Sequence, residues 1–228
     1  MKTLRNITFI FLAIFVSTGV TGQATMHENL FNHAKNAPDS VEGNFRDLAA
    51  YLKIPAQNDQ EAVETIFYWM ALNITYYEDP NFEKNYTDSI AKVTLLTKKS
   101  GCEGTARLFD KLCKSAGIES VIIFGFAEGY GFDQQSASQP NHGWNAVKIN
   151  GEWKLVDATW GSGGSTTEGN KEVYINQMDL RYLFADPKNF IIDHFPEDSK
   201  WQLLDDPISK REFYSDEYEL KRLAKLGW

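Results

Sequence analysis

Apolar positions along this chain change period twice, and each change marks a new kind of element. After Asn58, followed three residues on by Glu61, the apolar residues Ala62, Val63, Ile66, Phe67 and Met70 recur three or four apart. That is the spacing of one helix face, and the Asn/Glu pair has the arrangement of a capping box. The predicted helix ends before Tyr76-Tyr77-Glu78-Asp79-Pro80. A second stripe, Ala106, Phe109, Leu112, Cys113 and Ala116, predicts a helix over residues 102–116, with Gly117 closing it at the C′ position. Cys102 lies four residues before Ala106, so its thiol is expected on the same inward face.

Beyond Gly117 the pattern becomes that of strands. Residues 120–126 are rich in β-branched residues and predict a buried strand. Residues 144–149 and 152–156 predict a hairpin, because Asn150-Gly151 between them is the strongest short-range signal for a two-residue type I′ turn. Residues 26–57 read as helical, with turns at Ala37-Pro38-Asp39 and Ile54-Pro55. Residues 78–98 read as a loop with a weak strand or short helix, and residues 128–139 as a surface loop. Residues 161–171, rich in Gly, Ser and Thr, read as a loop, residues 173–175 as a strand and residues 216–226 as a helix. No repeat interrupts this order.

The hairpin turn also fixes which residues share a face. A two-residue turn at Asn150-Gly151 makes paired residue numbers sum to 301, so Trp144 opposes Asp157 and His142 opposes Thr159. One face then carries His142, Trp144, Ala146 and Lys148 with Trp153, Leu155, Asp157 and Thr159. His142 and Asp157 become diagonal neighbours at roughly 7–8 Å, a gap their side chains can bridge. The thiol of Cys102 is expected to reach this same face.

The first residues follow a different logic. Lys2 and Arg5 precede an apolar run at residues 7–16 and then small residues through Gly22. This is the order of a secretory signal peptide, with cleavage expected after Gly22 or Ala24, and the run is too short to span a bilayer. Export to a periplasmic or extracellular compartment is the expectation, with no stable membrane association. Losing Lys2 and Arg5 and no acid moves the formal charge from −8 to −10. Such an acidic surface argues against nucleic acid as a partner. The hydrophobic content of 43% suits one well-buried domain.

Cys102 and Cys113 are the only cysteines. Eleven residues apart on one helix, their Cα atoms would be about 16 Å apart, whereas a disulfide needs less than about 7 Å. A free thiol in an oxidising compartment is either buried and inert or kept for reactivity. Cys113, inside the stripe, belongs to the first kind. Cys102, flanked by Gly101 and Gly104 at a helix start, meets the positive end of the helix dipole and free backbone N–H groups. That setting favours a thiolate and supplies donors for an oxyanion. His142 and Asp157 add a base and an orienting carboxylate. His27, His33 and His194 are scattered without ligand spacing, so neither a metal nor a cofactor is expected.

These residues carry a family resemblance. Gly101-Cys102-Glu103-Gly104, His142-Gly143-Trp144-Asn145-Ala146-Val147 and Trp153-Lys154-Leu155-Val156-Asp157-Ala158-Thr159-Trp160-Gly161 stand in order and spacing similar to the transglutaminase-like superfamily of papain-related thiol enzymes. Tyr182-Leu183-Phe184-Ala185-Asp186-Pro187, His194-Phe195-Pro196-Glu197-Asp198 and Trp201-Gln202-Leu203-Leu204 resemble its kyphoscoliosis-peptidase-like branch. The resemblance implies an α+β, papain/transglutaminase-like core in which N-terminal helices and the cysteine helix pack against an antiparallel β-sheet. It implies a Cys-His-Asp triad of Cys102 as nucleophile, His142 as base and acid, and Asp157 orienting His142. It implies acyl-transfer chemistry on a protein or peptide amide, ending in hydrolysis or in transfer to an amine. Trp144 and Trp160 are candidates for the substrate groove. The chain then divides into a signal peptide at 1–22, an N-terminal helical extension at 23–57, the transglutaminase-like domain at 58–208 and a partly helical tail at 209–228. The alternative is a binding or scaffold module that retains the fold without catalysis.

Overall fold

In a computed structural model of the chain, the structure describes residues 18–77, 79, 85, 86, 89–128, 138–168 and 171–226. Most of the expected signal peptide, at residues 1–17, lies outside the described residues, as does most of the loop predicted at 128–139.

Side-chain caps set where the early helices begin. α1 (Thr18–Lys35) is followed by a 3-10 turn, then by α2 (Phe45–Leu52) and α3 (Asp59–Asn73). Asn44 accepts from the Asp47 N–H at 2.9 Å to start α2, and Asn58 accepts from the Glu61 N–H at 3.0 Å to start α3. The returning Glu61 carboxylate takes the N–H of Gln57, one residue earlier than a standard capping box. The sequence predicts one buried face for α3, but residues 62–71 are buried all round, Glu64 and Thr65 included. The reason is that α1 and α2 cover the outer side. Leu30, Ala34, Leu48, Ala49 and Leu52 are fully buried in the same core as Phe67, Trp69 and Met70.

The next segment sets the position of the cysteine. β1 (Thr75–Tyr76) pairs in parallel with β2 (Lys99–Ser100), and α4 (Ile90–Thr97) lies between them in sequence. Gly101 then leads directly into α5 (Cys102–Ser115). α5 crosses α4 and β2 so closely that a Cβ on Gly104 would stand 1.9 Å from Ser100 Oγ and 2.7 Å from Thr94 Oγ1. Both hydroxyl-bearing residues are buried, so neither can swing away into solvent. Gly104→Ala should therefore lose stability despite its gain of about 1 kcal/mol in helix propensity. Overpacking of this kind typically costs about 1–3 kcal/mol, and a lowered urea midpoint at unchanged slope is the expected readout.

Five strands form an antiparallel sheet: β3 (Ser120–Ala127), β4 (His142–Ile149), β5 (Glu152–Val156), β8 (Leu183–Ala185) and β9 (His194–Pro196), in the order β8-β5-β4-β3-β9. The predicted hairpin register holds, with Asn145 opposite Val156 and Ile149 opposite Glu152. Asn150 and Gly151 both take positive φ, 52° and 86°, as a type I′ turn requires. The segment read as a loop at 161–171 is instead largely structured. β6 (Gly164–Glu168) pairs with β7 (Lys171–Ile175), extending the predicted 173–175 strand into a second hairpin. Its threonines are β-branched and suit a ladder once a partner strand is present, a tertiary effect that outweighs local composition. After β8 the chain forms the short helix α6 (Pro187–Phe190), then β9, and closes with α7 (Lys210–Phe213) and α8 (Asp216–Leu226).

Each face of the sheet has its own apolar core. Val147, Ile149 and Val156 pack with Leu108, Phe109, Leu112 and Cys113 of α5. The opposite face, with Ile123, Trp144, Ala146 and Leu155, packs against Tyr182, Ala185 and Phe190. Among the described residues no helix is long and apolar enough to cross a membrane.

Candidate active site

The body of α5 does not lie on the face that carries His142. It packs on the Asn145 and Val147 face, where Asn145 Nδ2 donates to Ala106 O at 3.0 Å. Cys102 reaches His142 because each is the first residue of its element, and the two starts meet beyond the end of the sheet. Asn141 fixes this junction. Its side chain bonds both ways to the backbone of Ala127, at 2.8 and 2.9 Å, and its N–H donates to Gly125 O. The Cys102 sulfur lies 4.0 Å from Asn141 O and within hydrogen-bonding reach of the His142 side chain. Gly101, the N-cap of α5, has no side chain to occupy the first-turn N–H groups, which leaves the positive end of the helix facing the thiol.

The hairpin pairing ends at Asn145–Val156, one step before Asp157. There the chain turns, with the Asp157 N–H donating to Tyr182 O. The side chain still meets His142 as face parity requires. His142 Nε2 lies 2.7 Å from Asp157 Oδ2, which leaves Nδ1 as the ring nitrogen free to face the thiol. Asp157 Oδ1 accepts the N–H groups of Thr159 and Trp160 at 2.8 and 3.1 Å. Oδ2 also meets His194 Nε2 at 3.0 Å. Each oxygen of this fully buried carboxylate thus has two donors.

The electrostatics follow from these contacts. Burial pushes the Asp157 carboxyl up, but the charges and hydrogen bonds of His142 and then His194 outweigh it and hold it well below the usual carboxylate range. Burial pulls His142 down, but the Asp157 charge and hydrogen bond, aided by Cys102, push it up to about 10. A Cys102→Ala background takes the thiol's own proton out of the balance. There, above pH 6.5, the folded state holds a proton on His142 that the unfolded chain has released. The stability from this pair should therefore be complete below pH 6.5 and decline as pH rises toward the folded value. Asp157 acts in the opposite sense, contributing at neutral pH and losing its contribution in acid below its ordinary 3.8. Thermal melts from pH 6 to 10 should show the alkaline decline, and it should flatten in Cys102→Ala/His142→Gln.

The other predicted positions separate. Trp144 is only 1% exposed, with its ring edge-on to Phe190 and His194, so it cannot line a groove. Face parity turns it under the α6 segment, which the sequence pattern does not place there. Trp160 is half-buried and its ring lies 5.5 Å from that of His142. Cys113 is buried in the α5 core, and burial together with the Asp110 charge pushes its thiol well up. It is poised to be inert.

His194 reads in the sequence as a scattered histidine, yet it is part of the cluster. It is fully buried in β9, stacked on Phe190 at 4.0 Å, with Nε2 on Asp157 and Nδ1 2.6 Å from Asp193 Oδ1. The only sequence signal is its place in the His194-Phe195-Pro196 motif, because 37 residues separate it from Asp157. His142, Asp157 and His194 are also the one group among the described residues with metal-ligand atoms within 4.8 Å of one another. Their facing atoms are already occupied by one another, and the far nitrogen of His194 by Asp193, so the group reads as a hydrogen-bonded set.

Comparison with known proteins gives a consistent picture. Residues 46–158 match the family described as the transglutaminase-like superfamily. The chain is 35% identical over 191 residues to mouse (Mus musculus) kyphoscoliosis peptidase, covering 82% of this chain and 28% of that protein. It is 30% identical over 183 residues to Hillarin of Drosophila melanogaster, covering 74% of this chain and 22% of that protein. The chain therefore spans about a quarter of the length of these relatives. A solved TGase structure aligns with a TM-score of 0.37 at 13% identity, covering 75% of this chain and 39% of that one.

Proposed function

The chain belongs to the transglutaminase-like superfamily through residues 46–158, and from that premise we propose that it is an exported thiol enzyme acting on protein or peptide amides. The observation that carries this reading is the buried 2.7 Å contact between His142 and Asp157, with the Cys102 thiol in reach of the same imidazole. A thiol at a helix start beside an imidazolium is a nucleophile in search of an electrophilic carbonyl.

The steps follow from the proton positions. The Cys102 thiolate attacks the amide carbon, and the carbonyl π pair moves onto oxygen. The oxyanion is held by the uncapped first-turn N–H groups of α5, that of Cys102 first among them. His142 Nδ1 delivers its proton to the leaving nitrogen as the C–N bond breaks, leaving a thioester. Water or a primary amine then attacks the thioester, His142 takes the proton of that nucleophile, and the Cys102 thiolate departs. Asp157 keeps the Nε2 proton in place throughout, so that Nδ1 always faces sulfur. Peptidase or deamidase chemistry corresponds to water in the last step, and cross-linking chemistry to an amine.

The test is turnover of a peptide library by the wild-type protein and by Cys102→Ala, with and without an added primary amine, read by mass spectrometry. Products that need Cys102 support the reading, and a product carrying the amine assigns transfer over hydrolysis. If no product forms and Cys102 alkylates no faster than a free thiol, the chain is a binding module that retains the fold. Export rests on the charged, apolar and small-residue order of residues 2–22. It predicts a mature chain beginning at Gln23 or Thr25, measurable as the intact mass of protein recovered outside the cytoplasm.

A further inference from the structure

The triad carboxylate is held from behind by a second histidine that the mechanism above does not use. His194 has both ring nitrogens on carboxylate oxygens, Nε2 at 3.0 Å from Asp157 Oδ2 and Nδ1 at 2.6 Å from Asp193 Oδ1. An ionised carboxylate only accepts, so the nitrogen that bonds Asp157 does so as the donor. Asp193 Oδ2 in turn lies 2.6 Å from Lys225 Nζ on α8. The same helix grips this segment with Arg222, which donates to Ile192 O and Phe213 O.

We propose that His194 is a positioning residue for the triad, and that Asp193 and Lys225 brace it from the C-terminal helix. The inference rests on the functional reading above. Asp157 Oδ2 is shared between two imidazoles, whereas Oδ1 is fixed by two backbone N–H groups. With Oδ1 anchored, rotation of the carboxylate is opposed at the second oxygen by His142 and His194 together, and of the two only His194 takes no part in moving a proton to or from the thiol. A carboxylate held at both oxygens holds the imidazole plane of His142, and through it the angle at which Nδ1 meets sulfur. The rings of Trp144, Trp160 and Phe190 enclose His194 at 4.0–5.3 Å and leave it one orientation. The charged and titratable groups facing it are Asp193 in its own segment, Asp157, His142 on β4, Tyr182 and, through Asp193, Lys225 on α8.

The test reads the rate of Cys102 alkylation by iodoacetamide against pH, because an assisted thiolate and an unassisted thiol differ in the shape of that profile. The wild-type protein should alkylate at neutral pH at a rate that changes little between pH 6 and 8. His194→Phe keeps an aromatic ring and removes both ring nitrogens. It should lose that plateau, slow at least about tenfold at pH 6.5 and rise with pH as an ordinary thiol does. His194→Gln, which can still donate toward Asp157, should recover most of the rate. Lys225→Met should weaken the plateau about two- to fivefold, as loss of one charged contact at one remove would. Cys113 must remain unlabelled in each variant, which separates mispositioning from unfolding. A folded His194→Phe with the wild-type profile overturns the proposal. If His194→Phe does not fold, Lys225→Met decides, and a wild-type profile there overturns it. If the wild-type protein itself lacks the plateau, it is the enzymatic reading that fails, independently of His194.

Discussion

Cys102→Ala should abolish amide turnover and leave the fold standing. The residue is partly exposed at the first position of α5, where its sulfur makes a long contact to Asn141 O and lies in reach of the His142 side chain, so losing it costs little packing. Its stability change should stay within about 1 kcal/mol, the range for sites outside the core. Its effect on rate is of another order. Removing the attacking atom leaves only binding and oxyanion donors, and in thiol and serine enzymes that costs about 10⁴-fold or more. Turnover lowered by about 10⁴-fold or more, with a melting temperature within a few degrees of wild type, is the expected pair of results. Residual turnover within tenfold of wild type would show that another group is the nucleophile.

Asp157→Asn should damage both activity and stability, because this carboxylate accepts from four donors in a site without water access. An amide presents one oxygen and one NH₂. If the oxygen stays with Thr159 and Trp160, the NH₂ faces two imidazoles, and His142 must turn its unprotonated nitrogen toward the new amide. The Nδ1 proton would then be fixed on the thiol side in the wrong tautomer for a base. The equivalent change in other triads costs about 10⁴-fold in kcat. His142, held charged by this carboxylate, also loses its buried counter-ion, and breaking one side of a buried charge pair costs about 3–5 kcal/mol. The expected variant is therefore less active by orders of magnitude and lower in urea midpoint. A variant with normal stability and a loss below tenfold would contradict the role given to this carboxylate.

The legibility of the site in the sequence follows the range of the interactions involved. The His142–Asp157 relation depends on a two-residue turn, and Asn150-Gly151 prescribes that turn chemically, so register and facing residues can be derived. The start of α5 at Cys102 is legible for the same local reason, a glycine pair followed by a helical stripe. What is not legible requires knowing how elements stack. Face parity places His142 on one side of the sheet, and nothing local shows that α5 covers the other side and meets His142 only at its tip. Burial of α3 on all sides comes from α1 and α2 wrapping it, an arrangement its own periodicity does not encode. His194 escapes sequence reasoning because its partners are supplied by β9 pairing with β3, which carries it to Asp157 across 37 residues of chain. Trp144 is wrongly assigned to the groove because the α6 segment that buries it has no marker near it in the sequence.

The central claim is that the imidazole of His142, held charged by Asp157, activates the thiol of Cys102. Competitive alkylation of Cys102 and Cys113 from pH 5.5 to 9, in wild type and in His142→Ala, measures this without knowledge of the substrate. The account predicts rapid labelling of Cys102 with little pH dependence around neutrality, no labelling of Cys113 in the folded protein, and a loss of about 10–100-fold at pH 6 when His142 is removed. Equal profiles in the two proteins, both rising with pH as an unassisted thiol does, would contradict it.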